Sequence, residues 1–208
     1  MALVRITSVD APLNGPRLLA PAIGLLRRAL AVGLLSDREP VERLDLDVIR
    51  RIARRASAAG VGQDAALALL EQPASAERLA GLISRLDDAL AQSPLPEGEL
   101  RELLRVYGYD DLTALMGTSA VSLRRYAGGT RAVPDAVANR AHYLALVTSN
   151  LAGSYNEFGL RRWWGRPRTQ LGGRSPREAL AGAWDPESPA ARSVAELAAS
   201  LAGVGSAT

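Results

Sequence analysis

Apolar residues recur along the first half of the chain at helical spacing. Within residues 42–59, Val48, Ile49, Ile52, Ala53 and Ala56 share one side of a 3.6-residue repeat, while Arg50, Arg51, Arg54 and Arg55 take the other. Residues 74–92 carry Leu79, Leu82, Ile83, Leu86 and Leu90 at i, i+3, i+4, i+7 and i+11, the stripe of an amphipathic helix lying on a core. The run Ser93, Pro94, Leu95, Pro96, Glu97, Gly98 then breaks the pattern with two prolines and a glycine, which predicts a linker and a domain boundary. Beyond it, Leu100, Leu103, Leu104 and Tyr107 form a short stripe stopped by Gly108, and Asp110 is placed to cap the next helix. A longer helix is predicted with Pro134 as its first residue. Ser154 with Glu157, and Ser175-Pro176 with Glu178, have the spacing of capping boxes. A last helix carries Val194, Leu197, Ala198 and Leu201 and stops at Gly203. No sustained alternation demands a sheet, although residues 3–8 suit an extended segment. The expectation is an all-α protein with an N-terminal helical domain over 1–94, a helix-turn-helix DNA-binding domain over 95–151 and a small C-terminal helical module over 152–208.

Composition narrows the chemistry. The chain has 208 residues, 48% of them apolar but only 4% aromatic, so its core must be built from Leu, Val, Ile and Ala, which agrees with helices. With no cysteine and one histidine, a disulfide framework, a thiolate nucleophile and an imidazole- or sulfur-rich metal site are all excluded, and no cofactor is expected. The longest apolar stretch, 18–35, contains Pro21, Arg27 and Arg28 and falls short of the ~20 uninterrupted residues a bilayer crossing needs. No basic segment running into an apolar block opens the chain, so a cytoplasmic protein is expected. All 25 basic residues are Arg, against 22 acids. The surplus is local: residues 151–182 carry six Arg and two acids.

Residues 109–126 match the spacing of a helix-turn-helix. That unit needs a small residue mid-way along its first helix, a glycine where the chain turns, and apolar anchors on its second helix. Thr113, Gly117, Leu123 and Tyr126 stand at those places. With Leu123 and Tyr126 turned inward, Ser119, Ser122, Arg124 and Arg125 project outward as candidates for base edges and phosphates, and Arg131 is a candidate for the DNA backbone. The alternative is a helical hairpin whose arginines are solvated, since Thr118 replaces the usual Val or Ile of the turn and Asp110 and Asp111 offset local charge.

The stretch 154–182 holds the adjacent pair Trp163 and Trp164, a loop with Pro167, and Leu-Gly-Gly-Arg-Ser-Pro opening a capped helix. Neighbouring residues on a helix diverge by about 100°, so one indole is expected to anchor the module while the other faces a neighbouring domain or partner. Trp and Arg are the residues that most often carry interface energy. Arg166, Arg168, Arg174 and Arg177, with Arg161 and Arg162, form either a docking surface for carboxylates or a solvated basic face.

On these residues the chain resembles the Xre/MbcA/ParS-type antitoxins of bacteria, whose toxin-binding domain carries a Trp-bearing helix, a Pro-containing turn and a Leu-x-Gly-x-Ser-Pro helix start. The matching positions are Phe158, Trp163, Pro167, Leu171, Gly173, Ser175, Pro176, Leu180, Val194 and Leu197. Arg168 stands where the family's turn has Asn, and residues 183–191 make a longer connection. The resemblance spans about 97–203, including the helix-turn-helix, and leaves 1–94 uncovered. It implies an antitoxin that covers the active site of a RES-domain, NAD-degrading toxin, represses its own operon by binding operator DNA, and forms a homodimer or higher oligomer. Trp163, Trp164, Arg166, Arg168, Arg174 and Arg177 would then meet the toxin. A stand-alone helix-turn-helix regulator, using the C-terminal module for dimerisation or another partner, is the rival.

Other sites carry less. Gly172-Gly173-Arg174 before Ser175 suits an anion at a helix start, or simply a tight turn. His142 is expected on the polar side of its helix, without a serine and acid to make a catalytic set. Asp87-Asp88 and Asp110-Asp111 are adjacent and diverge, so neither is an acid/base dyad. Arg50, Arg51, Arg54 and Arg55 read as a solvated face or a patch for an acidic partner. No nucleophile with a base appears, and an enzyme is disfavoured.

Overall fold

The computed structural model describes residues 6–35, 41–71 and 75–202. Among these the chain is mostly helical with almost no strand, and it gathers into two compact units divided between Pro94 and Leu95.

The first unit contains α1 (Leu19–Ala31), α2 (Leu46–Ala58), α3 (Gln63–Leu70) and α4 (Ala76–Gln92). A two-residue parallel pairing of β1 (Ser8–Val9) with β2 (Arg43–Leu44) joins its leading segments. The two predicted stripes are the buried faces. Val48, Ile49, Ile52, Ala53 and Ala56 of α2 and Leu79, Leu82, Ile83, Leu86 and Leu90 of α4 all lie in the core. Caps fix where these helices begin: Asp45 accepts from Val48 N at 3.0 Å and Ser75 from Arg78 N at 3.2 Å. Gly62, at φ 57°, lets α3 start hard against α4, where a Cβ would come within 2.9 Å of Ala89 Cβ. Arg28 forks onto Asp87 with contacts of 2.6 and 3.1 Å and ties α1 to α4.

The second unit begins with α5 (Pro96–Met116), earlier than expected. Pro96 lies in the first turn, where a missing N–H costs nothing, and Glu99 Oε1 accepts from Leu95 N at 3.1 Å. The linker therefore ends before Pro96. As predicted, the first helical stretch of α5 stops at Gly108, which is non-helical. Its φ of 71° and ψ of 179° bend α5, which resumes at once with Asp110 exposed in its new first turn. Next come α6 (Ala120–Ala127), α7 (Asp135–Leu151), α8 (Glu157–Trp163), a 3₁₀ turn (Thr169–Leu171), α9 (Pro176–Ala179) and α10 (Pro189–Ala202). Pro134 takes the N-cap of α7, one residue before the predicted place. The cap of α8 is Asn156, which accepts from Gly159 N at 2.8 Å, not Ser154. The Ser154 hydroxyl instead donates to Leu201 O at 2.9 Å. The Ser175/Glu178 box forms as predicted. Gly203 and residues 3–5 lie outside the described residues.

α7 is the axis of this unit, packed by α5 and by α10. Because neighbours cover more than one stripe, His142 is buried rather than on a polar side, and its Nδ1 lies 2.6 Å from Oε1 of the fully buried Glu99. Residues 95–151 and 152–208, expected as two domains, close around one core. Arg161 Nη1 donates to Val106 O at 2.9 Å, and the Trp164 ring meets Tyr107 edge-on at 6.3 Å.

Candidate nucleic-acid interface

The second segment of α5 ends at Gly117, whose φ of 62° is the left-handed turn that a side chain would resist. Its N–H closes on Thr113 O at 2.9 Å. Thr118 and Ser119 complete a three-residue turn, and α6 follows. Leu123 and Tyr126 of α6 are buried, as are Leu112, Leu115 and Met116 before the turn. The opposite side of α6 faces solvent.

The five residues singled out for DNA have different situations there. Ser119 is the N-cap: its hydroxyl accepts from Ser122 N at 3.2 Å and donates to Ser122 Oγ at 3.1 Å. Ser122 is half-buried beside it. Arg124 lies over the Tyr109 ring at 5.4 Å, and Arg131 over Tyr126 at 5.5 Å. The exposed Arg125 side chain has no hydrogen bond, ion pair or ring contact with another described residue. Val121, 58% exposed, shares that surface and was not singled out from sequence. Its signal was an apolar residue outside the buried stripe of a short helix.

Two clamps hold the turn from behind. Arg140 of α7 donates through Nη1 to Met116 O at 3.0 Å and through Nε to Trp184 O at 2.8 Å. Trp184 Nε1 donates to Leu115 O at 2.8 Å, and its ring packs on Tyr143 at 5.0 Å. The long connection 183–191 thus carries a core indole. Trp184 escaped the sequence reading because it belongs to no helical stripe. The Tyr143 hydroxyl donates to Ala191 O at 2.7 Å, and burial pushes its pKa far up. Burial also raises the pKa of Tyr107, against the hydrogen bond with Thr148 at 2.8 Å.

The predicted toxin-facing set is corrected in part. Trp163 and Trp164 are both fully buried, 1% and 0% exposed, with rings 5.1 Å apart and nearly perpendicular. The divergence of adjacent residues holds, but each indole finds its own wall: Trp164 meets Tyr107 of α5, and Trp163 lies under the Arg168 guanidinium at 5.7 Å. Neither offers a surface to a partner. Arg168 is half-buried on that ring, and Arg177 pairs with Asp111 at 2.6 Å. Arg166 and Arg174 are exposed. Phe158 of the same stretch does reach solvent, 60% exposed beneath Arg162 at 5.4 Å.

At Gly172 and Gly173 the chain makes a tight turn, and its amides are taken: Gly173 N donates to Arg168 O at 2.9 Å and Ser175 N to Glu178 Oε2 at 2.7 Å. The Ser175 amide and hydroxyl hold the Glu178 carboxyl below the usual range, so this helix start already has its anion. In the first unit, Arg50 pairs with the exposed Asp47 at 3.2 Å and the exposed Arg54 Nε donates to Arg50 O at 3.4 Å, both within α2, while Arg55 donates to Leu34 O at 2.9 Å and ties the helix to the end of the α1 segment. The unit also has a mostly aliphatic cavity of about 290 Å³, walled by Ile49, Leu69 and Leu79. No described helix is long and apolar enough to cross a membrane. Set beside family models, curated proteins and solved structures, the chain matches none of them.

Proposed function

We propose that this chain is an antitoxin-type transcriptional regulator, with α6 as the helix that enters the major groove of operator DNA. The observation that carries this reading is the two-sidedness of α6: Leu123 and Tyr126 are buried, and Arg124 and Arg125 are exposed after a glycine turn capped by Ser119. A recognition helix needs an anchored back and a cationic front, because affinity for a duplex comes largely from cations at phosphates and specificity from side chains at base edges. The chain performs no catalysis in this scheme. Its partners are operator DNA, a RES-domain toxin and a second copy of itself in a homodimer or higher oligomer, working in the cytoplasm.

The toxin-binding half of the proposal rests on the resemblance and now on a different surface. With the indoles interior, the groups left to meet a toxin are Phe158, Arg162, Arg166 and Arg174. The interior placement of Trp163 and Trp164 favours a second reading, a stand-alone regulator in which 152–208 completes the DNA-binding unit. Co-expression with a RES-domain toxin separates the two. Rescue by the wild-type chain that is lost in F158A/R162A supports the antitoxin; no rescue leaves the regulator.

DNA binding is tested by titrating the chain with the DNA upstream of its own gene at several salt concentrations. Replacing Arg124 and Arg125 together with Ala is expected to weaken binding and to lower the salt slope by about 1 for each of the two that contacts a phosphate. An unchanged affinity and slope would remove α6 from the interface.

A further inference from the structure

We infer that Val121 and Arg125 are the pair through which α6 reads sequence, Val121 packing on a thymine methyl and Arg125 forking onto a guanine two base steps away. The inference rests on the DNA-binding reading and adds which residues select the site.

Elimination on the face of α6 leads to this pair. Ser119 is committed as the cap in both directions, and Ser122 is half-buried against it. Arg124 is drawn back over Tyr109, and Arg131 lies beyond the helix on Tyr126. Both suit phosphates flanking the groove. Val121 and Arg125 remain, both exposed, one with an aliphatic side chain turned to water and the other with an unengaged guanidinium. They stand four residues apart and so lie on the same side, about 6 Å apart along the axis. Base steps of about 3.4 Å put two base steps in that distance when the helix lies along the groove.

The chemistry of each side chain then names its base. A branched aliphatic group has one apolar target in the major groove, the C5 methyl of thymine. A free guanidinium fits guanine O6 and N7 bidentately. Val121 is in the first turn of α6, the end of a recognition helix that reaches base edges.

The test is selection of randomised duplexes by the full chain, followed by base analogues in the selected site. The expected motif contains T and G two steps apart. Replacing that thymine with deoxyuridine should weaken wild-type binding roughly 3- to 5-fold, as for one buried methyl group, and leave V121A unaffected. Changing the guanine should cost the wild type roughly 5- to 150-fold and R125A almost nothing. Both variants lie on the solvent face, and a thermal melt equal to wild type shows that they fold. If a motif emerges but V121A and R125A keep the wild-type base preferences, the pair is not the reader while DNA binding stands. If no duplex is enriched even at low salt, the DNA-binding reading fails and this inference with it.

Discussion

Trp184 joins three partners at one point: its indole N–H on Leu115 O, its ring against Tyr143, and the Arg140 guanidinium 5.5 Å over its face. W184A is expected to destabilise the second unit by about 3–5 kcal/mol, the range for truncating a buried Trp. W184F should cost less, about 1–3 kcal/mol, chiefly for the stranded Leu115 carbonyl. Denaturant melts of the two variants measure both. The tyrosines predict an alkaline limit. In the fold, burial keeps Tyr107 and Tyr143 protonated above the ordinary value of about 10, so the native state holds protons that the unfolded chain releases. Stability is intact below that pH and falls as pH rises beyond it, which a pH series of melts would show. At this scale the sequence is legible where partners are neighbours. Ser175 and Glu178 are three residues apart, and their box was plain. His142 finds Glu99 across 43 positions, and no local pattern announces that pairing.

Helix faces were the most readable elements, because a buried stripe is written in the chain at a fixed period. The stripes of α2 and α4 match to the residue. Boundaries were harder. Proline marks both a linker and a helix start, and Pro96 does the second, whereas Gly108 ends the first segment of α5 where the stripe placed the stop. G117A tests the turn before α6. An L side chain in the left-handed region costs about 1–2 kcal/mol, and the variant should lose that much stability in denaturant melts. The α9 start has a pH signature of opposite sign to the tyrosines. The Glu178 carboxyl is held below its ordinary value of 4.5, so the box contributes above that pH and is lost as pH falls through the folded value. The protection factors of the Ser175 and Glu178 amides, measured against intrinsic exchange, are expected to fall under acid before those of the rest of the unit, and that of Glu178 to be low at all pH values in S175A.

Across the whole molecule, the three tryptophans all lie on the same side of the division at Pro94. Tryptophan fluorescence therefore follows the second unit alone, while circular dichroism follows both. If the units melt independently, the two signals should give different midpoints for the full chain, and a fragment of residues 95–208 should reproduce the fluorescence midpoint. The shared core of that unit also changes what a truncation means. Cutting the chain before Ser154 removes Trp163, Trp164 and Trp184 together, so the remaining 95–153 is expected to lose its fold and any grip on DNA, as gel shift and circular dichroism would report. Composition and stripes located the division at 94. They did not reveal that the C-terminal portion completes the middle one, since that depends on where isolated aromatics land.

The same dependence exposes a weak point remote from the arginines of α6. The linkage from Arg140 through Trp184 to Leu115 and Met116 is carried by a connection with exposed positions at Gly182, Ala183 and Asp185. A protease that nicks the chain there would leave every exposed side chain of α6 intact. It would nonetheless unlatch the brace behind the turn before α6, so the first damage to the second unit would be a loosened helix rather than a lost segment.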